Sequence, residues 1–350
     1  MYILFVTAVA DDNSAKVLVD EQGNPQIMLT GSANIWDFIH PLLNERLNCF
    51  TERFLISATN TYDNLSDKRP DIVFNEISEP DSHINALRLS DKLFKQFQCP
   101  VINPPSAIVN TRRERLAEQL SSLNSIRVPS TIRCAPESPE QVYHFWQQHF
   151  PGKSVLIRGV GDHGGQSTLR LGSELDLHLL YRLPLDGRHY LLSEYIDYIS
   201  EDGLYRKFRV VLIDGQVYLR HLIISDQWMI HSNSRDFMRK DRGLVQEEER
   251  YLTSFKACIS DSILADLQKI NRLIGAEYLG LDCTIKDNQL MVFELNANMN
   301  ILINNQADGQ LWQAPINQIK EALLKLITAK IRSSKPLTLG WQQHGLQRYF

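Results

Sequence analysis

The sequence has few cysteines, and their spacing excludes two structural roles. The chain of 350 residues contains five cysteines, and no two of them form a C-x-x-C pair. An odd number of widely separated cysteines indicates neither a disulfide framework nor a zinc site. This pattern is typical of a reducing compartment, so we expect a soluble protein of the cytoplasm.

The sequence also lacks an excess of basic charge and any long apolar run. Its formal net charge is -4 at pH 7, so no global positive field attracts nucleic acid or an anionic membrane. No apolar run approaches the roughly 18 residues that a membrane span needs. The apolar start has no basic residues before Asp11, and it is interpreted as a first strand and not as a signal peptide.

No standard phosphate-binding fingerprint occurs in the chain. A glycine-rich segment at residues 159–165 matches neither G-x-x-x-x-G-K-[ST] nor G-x-G-x-x-G. Glycines allow backbone N–H groups to approach phosphates closely, but a plain turn would have the same composition. No dinucleotide fingerprint follows the first strand, which disfavours an α/β dehydrogenase.

What the sequence does contain is an alternation of strands and helices typical of an α/β protein. The first hundred residues predict a parallel sheet, because apolar strand candidates alternate with amphipathic helices. Thr111 and Glu114 form a capping-box pattern that predicts a helix start. The last third is richest in strands, and Asp214-Gly215 is the strongest hairpin signal. The charged segment 232–250 is interpreted mainly as a surface loop.

Two acids and an amide fall on neighbouring strand candidates. Glu294 and Asn296 are two residues apart and therefore share one face of a strand. A three-residue loop would place Asp282 opposite Glu294, whereas a two-residue loop would place Phe293 there. Two carboxylates and an amide oxygen suit Mg²⁺. A solvated strand face carrying three polar residues is the alternative.

Several cations flank the predicted hairpin beside these acids. Arg209 and Arg220 fall on adjacent antiparallel strand candidates, close to Arg206 and Lys207. Positive groups beside a metal are what a triphosphate and a developing phosphoryl transition state require. A solvated basic edge strand would carry the same residues.

Six segments, in one order, resemble the ATP-grasp superfamily, particularly its ribosomal-protein glutamate ligase and glutathione synthetase branch. They are N-T-R-R-E-R-L, V-L-I-R-G-V-G-D-H-G-G, L-L-S-E-Y-I, K-F-R-V-V-L-I-D-G-Q-V-Y, L-G-L-D and F-E-L-N-A-N, and they cover roughly residues 109–300. The resemblance implies an ATP-grasp fold of the α/β (α+β) class. It implies an N-terminal parallel-sheet domain at 1–108, a small lid subdomain at 109–192, a C-terminal subdomain at 193–331 and a tail at 332–350.

The resemblance also implies a site for ATP and Mg²⁺ (or Mn²⁺) between the two subdomains. The implied metal ligands are Asp282, Glu294 and Asn296. The implied nucleotide contacts are Arg115, Arg158, Gly164, Gly165, Glu194, Tyr195, Ile196 and Asp197. The implied catalytic residues are Arg209, Arg220 and Asn233, and His231 joins them as a candidate general base because of its residue type.

The chain departs from the family pattern in its cations and in one turn. Arg158 and Arg115 stand where the family usually has lysines, and Lys207 stands where an aspartate is frequent. Arginine keeps the charge but has a planar, bulkier fork. Residues 297–300, Ala-Asn-Met-Asn, replace the small or Gly/Pro-rich turn expected after Asn296.

These features together predict an ATP-dependent carboxylate–amine ligase that forms an amide or peptide bond through an acyl phosphate. Amino acids or peptides are the expected substrates, with no nucleic-acid or membrane partner, and a homo-oligomer is compatible with the sequence. Two alternatives stay open. One is an ATP-grasp module that binds nucleotide without ligation, and the other is a peptide-modifying enzyme that makes ester or amide crosslinks.

Overall fold

The computed structural model describes residues 1–19, 25–29, 31, 35–57, 68–162, 167–299, 301–302 and 310–334. The strands are β1 (Tyr2–Ala8), β2 (Lys16–Val19), β3 (Pro25–Met28), β4 (Phe50–Ile56), β5 (Ile72–Asn75), β6 (Val101–Ile102), β7 (Ile126–Arg127), β8 (Thr131–Cys134), β9 (Val155–Gly159), β10 (Leu169–Leu171), β11 (Tyr190–Glu194), β12 (Tyr205–Ile213), β13 (Gln216–Ser225), β14 (Tyr278–Lys286) and β15 (Gln289–Ala297). The α-helices are α1 (Ile35–Leu47), α2 (Ile84–Phe97), α3 (Pro105–Asn110), α4 (Arg113–Gln119), α5 (Pro139–His149), α6 (Arg235–Met238), α7 (Arg242–Ser254), α8 (Asp261–Ile274) and α9 (Gln313–Ser334). Short 3₁₀ helices cover Glu174–Arg182, Ser232–Ser234 and Phe255–Ala257.

The N-terminal strands form a parallel sheet in the order β4-β1-β5-β6, as the sequence predicts. Every residue of β1 is buried, because helices cover both faces of the sheet. Leu4 and Val6 pack with residues of α2, whereas Ile3 and Phe5 pack with residues of α1. The α/β class is confirmed.

The second sheet, which we call the lid sheet, has the order β10-β9-β11-β8 and is antiparallel. It packs against α5 and the 3₁₀ helix Glu174–Arg182. Their apolar side chains form a core of their own, with Trp146 and Leu180 among its buried members. Ser138 caps α5, because its side chain accepts a hydrogen bond from the backbone N–H of Gln141.

The third sheet, which we call the floor sheet, has the order β13-β12-β14-β15-β7. Helix α8 covers one face, where Ile270 packs with Val210 and Leu281. Helix α9 covers part of the other face, where Ile319 packs with Val211. The rest of that second face stays open and carries polar residues. Among the described residues, no helix is long and apolar enough to cross a membrane.

Two local predictions are wrong. Segment 232–250 holds α6 and most of α7, and it buries an ion pair in which Arg235 Nη1 donates to Glu248 Oε2 at 2.7 Å. The capping box at Thr111 does not form, because the Thr111 hydroxyl donates instead to the carbonyl of Ile108. Helix α4 consequently begins at Arg113.

Three buried asparagines join the N-terminal sheet to the floor sheet. Asn103 Nδ2 donates to Asn298 Oδ1 at 2.6 Å, and Asn298 Nδ2 donates to the carbonyl of Asn75 at 2.7 Å. Asn75 Nδ2 in turn donates to the carbonyl of Asn103 at 2.9 Å. Asn298 has a φ of 52°, a left-handed conformation that asparagine tolerates better than most residues. Asn298 therefore makes the turn after Asn296, where the family resemblance implies small residues or a Gly/Pro-rich segment.

Candidate active site

A cleft of about 950 Å³ lies between the lid sheet and the open face of the floor sheet. The loop after β5 and the start of α4 form a further wall, which includes Asp81 and Arg113. Most of the residues that the sequence singles out line this cleft. They are Arg158, Glu194, Tyr195, Ile196, Arg209, His231, Asn233, Asp282, Glu294 and Asn296.

The β14–β15 hairpin places the two acids opposite each other. Its turn has two residues, Asp287 and Asn288, with φ values of 50° and 55°. A two-residue turn alone would place Phe293 opposite Asp282. Instead Cys283 pairs with Val292 and Asp282 pairs with Glu294, so Phe293 is an extra residue in a β-bulge. The bulge restores the pairing that the sequence offered only through a three-residue loop.

Asp282 is held by two cations from β12. Arg209 donates to both of its oxygens, from Nε at 2.7 Å and from Nη2 at 2.9 Å. Lys207 Nζ lies 3.2 Å from Oδ2. Burial alone would raise the pKa of Asp282, but the charges of Arg209 and Lys207 outweigh burial and hold the pKa below its usual range.

Glu294 has its own set of partners. Arg113 Nη2 pairs with its Oε2, and Asn296 Nδ2 donates to its Oε1 at 3.0 Å. Burial opposes ionisation here as well, yet Arg113 lowers the pKa of Glu294. Both carboxylates are therefore ionised at neutral pH.

The carboxylate pair lies in an excess of positive charge, because Arg113, Arg158, Lys207 and Arg209 all line this part of the cleft. Burial, together with the charge of Arg113, lowers the pKa of Arg158 to about 10, so Arg158 is still a cation. Its buried Nε has no hydrogen-bond partner among the described residues. Such a cluster is suited to an anionic ligand with several charges.

The chemistry of the donor set fits a magnesium ion. Asp282, Glu294 and Asn296 offer two ionised carboxylates and an amide on adjacent strands, and hard oxygen ligands are those that Mg²⁺ takes. The two hydrogen bonds from Arg209 use two of the roughly four lone-pair sites of Asp282, and Lys207 lies beside one oxygen, which leaves at least one site for a metal. No group of three His, Cys, Asp or Glu side chains in the described part of the chain could hold a metal.

A group of aromatic side chains lines part of the cleft. The ring centroids of Tyr198 and Phe293 lie 4.9 Å apart, and those of Tyr195 and Trp228 lie 5.7 Å apart. Tyr195 and Ile196 connect the lid sheet to the floor sheet. These rings are suited to contact a flat heterocycle.

Some predicted residues lie elsewhere. Arg220 is the extra residue of a second bulge, which leaves His221 opposite Arg209. Arg220 is buried outside the cleft, where its Nε donates to the carbonyl of Ile301 at 2.7 Å and its guanidinium lies 4.5 Å from the Trp312 ring. Arg115 is exposed on α4, and Asp197 is exposed after β11. Gly164 and Gly165 lie outside the described residues.

The sequence analysis missed Arg113 as a cleft residue. Buried Leu116 and Leu120 define the inner face of α4, and a residue three positions before Leu116 lies on that face. That spacing selects Arg113 over Arg115. Lys207 was noted as part of a basic group and as a departure from the family pattern, and its alternation with Arg209 along β12 could have placed it on the same face.

Comparisons with known proteins agree with this architecture. The RimK domain ATP-grasp protein of Sphaerobacter thermophilus has a TM-score of 0.51 at 10% identity, over 94% of this chain and 100% of that chain. The macrocyclase MdnC of Microcystis aeruginosa, bound with its precursor peptide MdnA, has a TM-score of 0.53 at 14% identity, over 94% and 100%. D-alanyl-alanine synthetase A of Vibrio cholerae has a TM-score of 0.54 at 10% identity, over 95% and 98%.

No protein-family model matches the sequence, and the comparison with curated proteins gave no match. Each of these solved structures is similar to the chain over nearly its whole length, although identity is low. The expectation drawn from the sequence segments is thereby confirmed at the level of architecture: the chain has the ATP-grasp fold.

Proposed function

We propose that this protein is an ATP-dependent ligase that activates a carboxylate as an acyl phosphate and joins it to an amine. The observation that carries the proposal is the pairing of Asp282 with Glu294, beside Asn296 and a group of fixed cations, inside an ATP-grasp cleft. The residue ranges 1–108, 109–192 and 193–331 remain our proposed division into domains.

In this proposal the base of the nucleotide lies against the aromatic side chains of the cleft, and its phosphates lie beside the cations. Tyr195, Ile196 and Phe293 would contact the base. Arg158 and Arg113 would contact the phosphates, because each is a cation that lines the cleft. Mg²⁺, when bound by Asp282, Glu294 and Asn296, would neutralise part of the phosphate charge.

The first proposed step forms the acyl phosphate. A carboxylate oxygen of the substrate attacks the γ-phosphorus, the bond between that phosphorus and the β–γ bridging oxygen breaks, and ADP leaves with the electron pair. The chain contributes position and charge, since Arg209 and Lys207 are already fixed by Asp282. No covalent intermediate with the protein is needed.

The second proposed step forms the amide. The amine nitrogen attacks the acyl carbon, the bond from that carbon to the phosphate oxygen breaks, and inorganic phosphate leaves. The amine must lose a proton, and His231 lines the cleft as a candidate acceptor. Burial and the nearby charge of Lys207 lower the pKa of His231, so its imidazole is neutral at pH 7 and able to accept.

Two observations favour the two alternatives. Both carboxylates are already paired with arginines, as expected of a module that holds nucleotide without turnover. The similar macrocyclase was solved with a precursor peptide, which favours a peptide substrate and crosslink formation. Substrate-dependent release of ADP separates the ligases from the module, and a mass loss of one water in a peptide product identifies a crosslinking enzyme.

The test of the proposal is ATP binding measured by calorimetry with and without Mg²⁺. We expect Mg²⁺-dependent binding by the wild type, and binding at least about tenfold weaker for Glu294→Gln, because the variant loses one metal ligand and one charge. Glu118→Gln is the matched control, since Glu118 is exposed on α4 and does not line the cleft. ATP binding of equal affinity with and without Mg²⁺, or no ATP binding by the wild type, would contradict the proposal.

A further inference from the structure

Lys207 and Arg209 are the two cations that the floor sheet presents to the cleft, and they are used differently. The Arg209 guanidinium makes a bidentate contact with Asp282. The Lys207 ammonium has a single contact with Asp282, at 3.2 Å, and donates to the carbonyl of Ile230 at 2.8 Å. Its position is therefore fixed from two sides.

The donor count of Lys207 leaves room for a ligand. An ammonium group has three N–H donors and no acceptor. Among the described residues, the Ile230 carbonyl accepts one of them, and the ion pair with Asp282 engages at most a second. The side chain is 17% exposed and lines the cleft, so the third donor is available to a molecule bound there.

The surroundings of Lys207 define which part of a ligand it meets. On one side lies Asp282, which belongs to the candidate metal donors, and on the other lies the segment that carries His231 and Asn233. The aromatic pair Tyr198 and Phe293 is suited instead to an apolar ring of the ligand. A fixed cation beside a metal-donor carboxylate is suited to a phosphate oxygen at the reacting end.

We propose that Lys207 is a further catalytic residue, which donates a hydrogen bond to an oxygen of the phosphoryl group while that group passes from ATP to the substrate carboxylate. Asp282 positions this cation and Arg209 together. The inference rests on the proposed function, because it requires a nucleotide in the cleft. The inference adds to that function a specific residue, Lys207, whose contact with the phosphoryl group strengthens only as charge develops on that group.

The test uses ADP with Mg²⁺ and aluminium fluoride, a mimic of the transferring phosphoryl group, so the acid substrate need not be known. Calorimetry gives the affinity for ADP with and without fluoride for each variant. In the wild type we expect aluminium fluoride to raise the affinity for ADP strongly. In Lys207→Met we expect this gain to fall about 100-fold, the loss typical of one transition-state donor, while the affinity for ADP alone changes less than about threefold.

Two variants control for indirect effects. Lys207→Arg keeps the charge and should retain part of the gain. Lys269→Met removes a lysine that pairs with Asp266 outside the cleft, and it should behave as the wild type. Because the gain is a ratio within one variant, a partly unfolded sample does not imitate the effect.

The outcomes separate the two proposals. An equal fluoride gain in wild type and Lys207→Met, with normal ADP binding, would overturn the role of Lys207 and leave the proposed function intact. No ADP binding by the wild type would overturn both. A gain lost equally in Lys207→Met and Lys269→Met would also contradict a specific contact.

Discussion

Two buried carboxylates, one in the N-terminal sheet and one in the floor sheet, have opposite ionisation behaviour. Glu76, just after β5, is fully buried and accepts hydrogen bonds from the backbone N–H of Trp36 at 2.7 Å and from Arg53 Nε at 2.9 Å. Burial raises its pKa to about 7. Asp282 is buried to a similar degree, yet its pKa lies below the usual range.

The difference lies in the cations and not in the burial. Beside Glu76, Arg53 is one guanidinium, and the nearby charge of Asp37 acts against it. Asp282 has two cations, Arg209 and Lys207, both on one strand that is fixed by the sheet. The comparison teaches that two cations on one neighbouring strand keep Asp282 charged, whereas one guanidinium does not offset the burial of Glu76.

The largest expected effect is that of removing Asp282. Asp282→Ala leaves Arg209 and Lys207 without their shared counter-ion, and breaking a buried pair costs about 3–5 kcal/mol. Urea denaturation measures this loss in the free energy of unfolding. Asp236→Ala is the control, because Asp236 is 71% exposed and pairs with nearby Arg239. A loss below about 1 kcal/mol for Asp282→Ala would contradict the conclusion that Arg209 and Lys207 depend on the charge of Asp282.

The next effect is a pH dependence caused by Glu76. Its folded pKa of about 7 exceeds the ordinary value of 4.5, so the folded state binds more protons between these values. The free energy of unfolding therefore falls as pH rises from about 4.5 through 7, by about 3 kcal/mol, since one pKa unit is worth about 1.4 kcal/mol.

Glu76→Gln should remove this contribution, and the difference between wild type and variant cancels the other titrating groups. Denaturation at pH 5 and at pH 8 measures it. If the wild type loses no more stability than Glu76→Gln over this range, then Glu76 ionises normally and Arg53 compensates it fully.

The smallest expected effect sharpens the role of burial. Arg46 and Glu321 form an ion pair of 2.5 Å between α1 and α9, with both side chains nearly half exposed. Exposed pairs contribute about 0–1 kcal/mol, so Arg46→Met should change the unfolding free energy by less than about 0.5 kcal/mol. A change as large as that of Asp282→Ala would mean that distance, and not burial, controls these pairs.

Much of the fold follows from local signals in the sequence. The hairpin signal Asp214-Gly215 is followed by β13, and the amphipathic spacing along Asp261–Ile274 corresponds to α8. Each has a strong local cause, a two-residue turn before the strand and an amphipathic spacing along the helix. Helix α7 was missed because its charged residues suggested a loop, whereas Glu248 is buried by partners distant in the sequence, Trp312 and Leu222.

The site was predictable where residue spacing alone fixes it and not where pairing decides. Glu294 and Asn296 share a face because of strand periodicity, and both line the cleft. Arg220 was misplaced because a bulge in β13 shifts the register by one residue. A bulge depends on how two strands pair, so the sequence of one strand alone does not indicate it. Arg115 was chosen over Arg113 because the family resemblance places a lysine where Arg115 stands, whereas the spacing along α4 selects Arg113.

The bulge at Phe293 also affects how this chain is aligned with distant relatives. An alignment that counts equal numbers of residues outward from the Asp287–Asn288 turn puts Phe293 in the column of the acid. Glu294 returns to its column only when a gap of one residue is placed at the bulge. A relative with a three-residue turn and a regular strand would need that gap in the turn instead. The position of the gap then shows where each hairpin has its extra residue, and it does not indicate that the acid corresponding to Glu294 is lost.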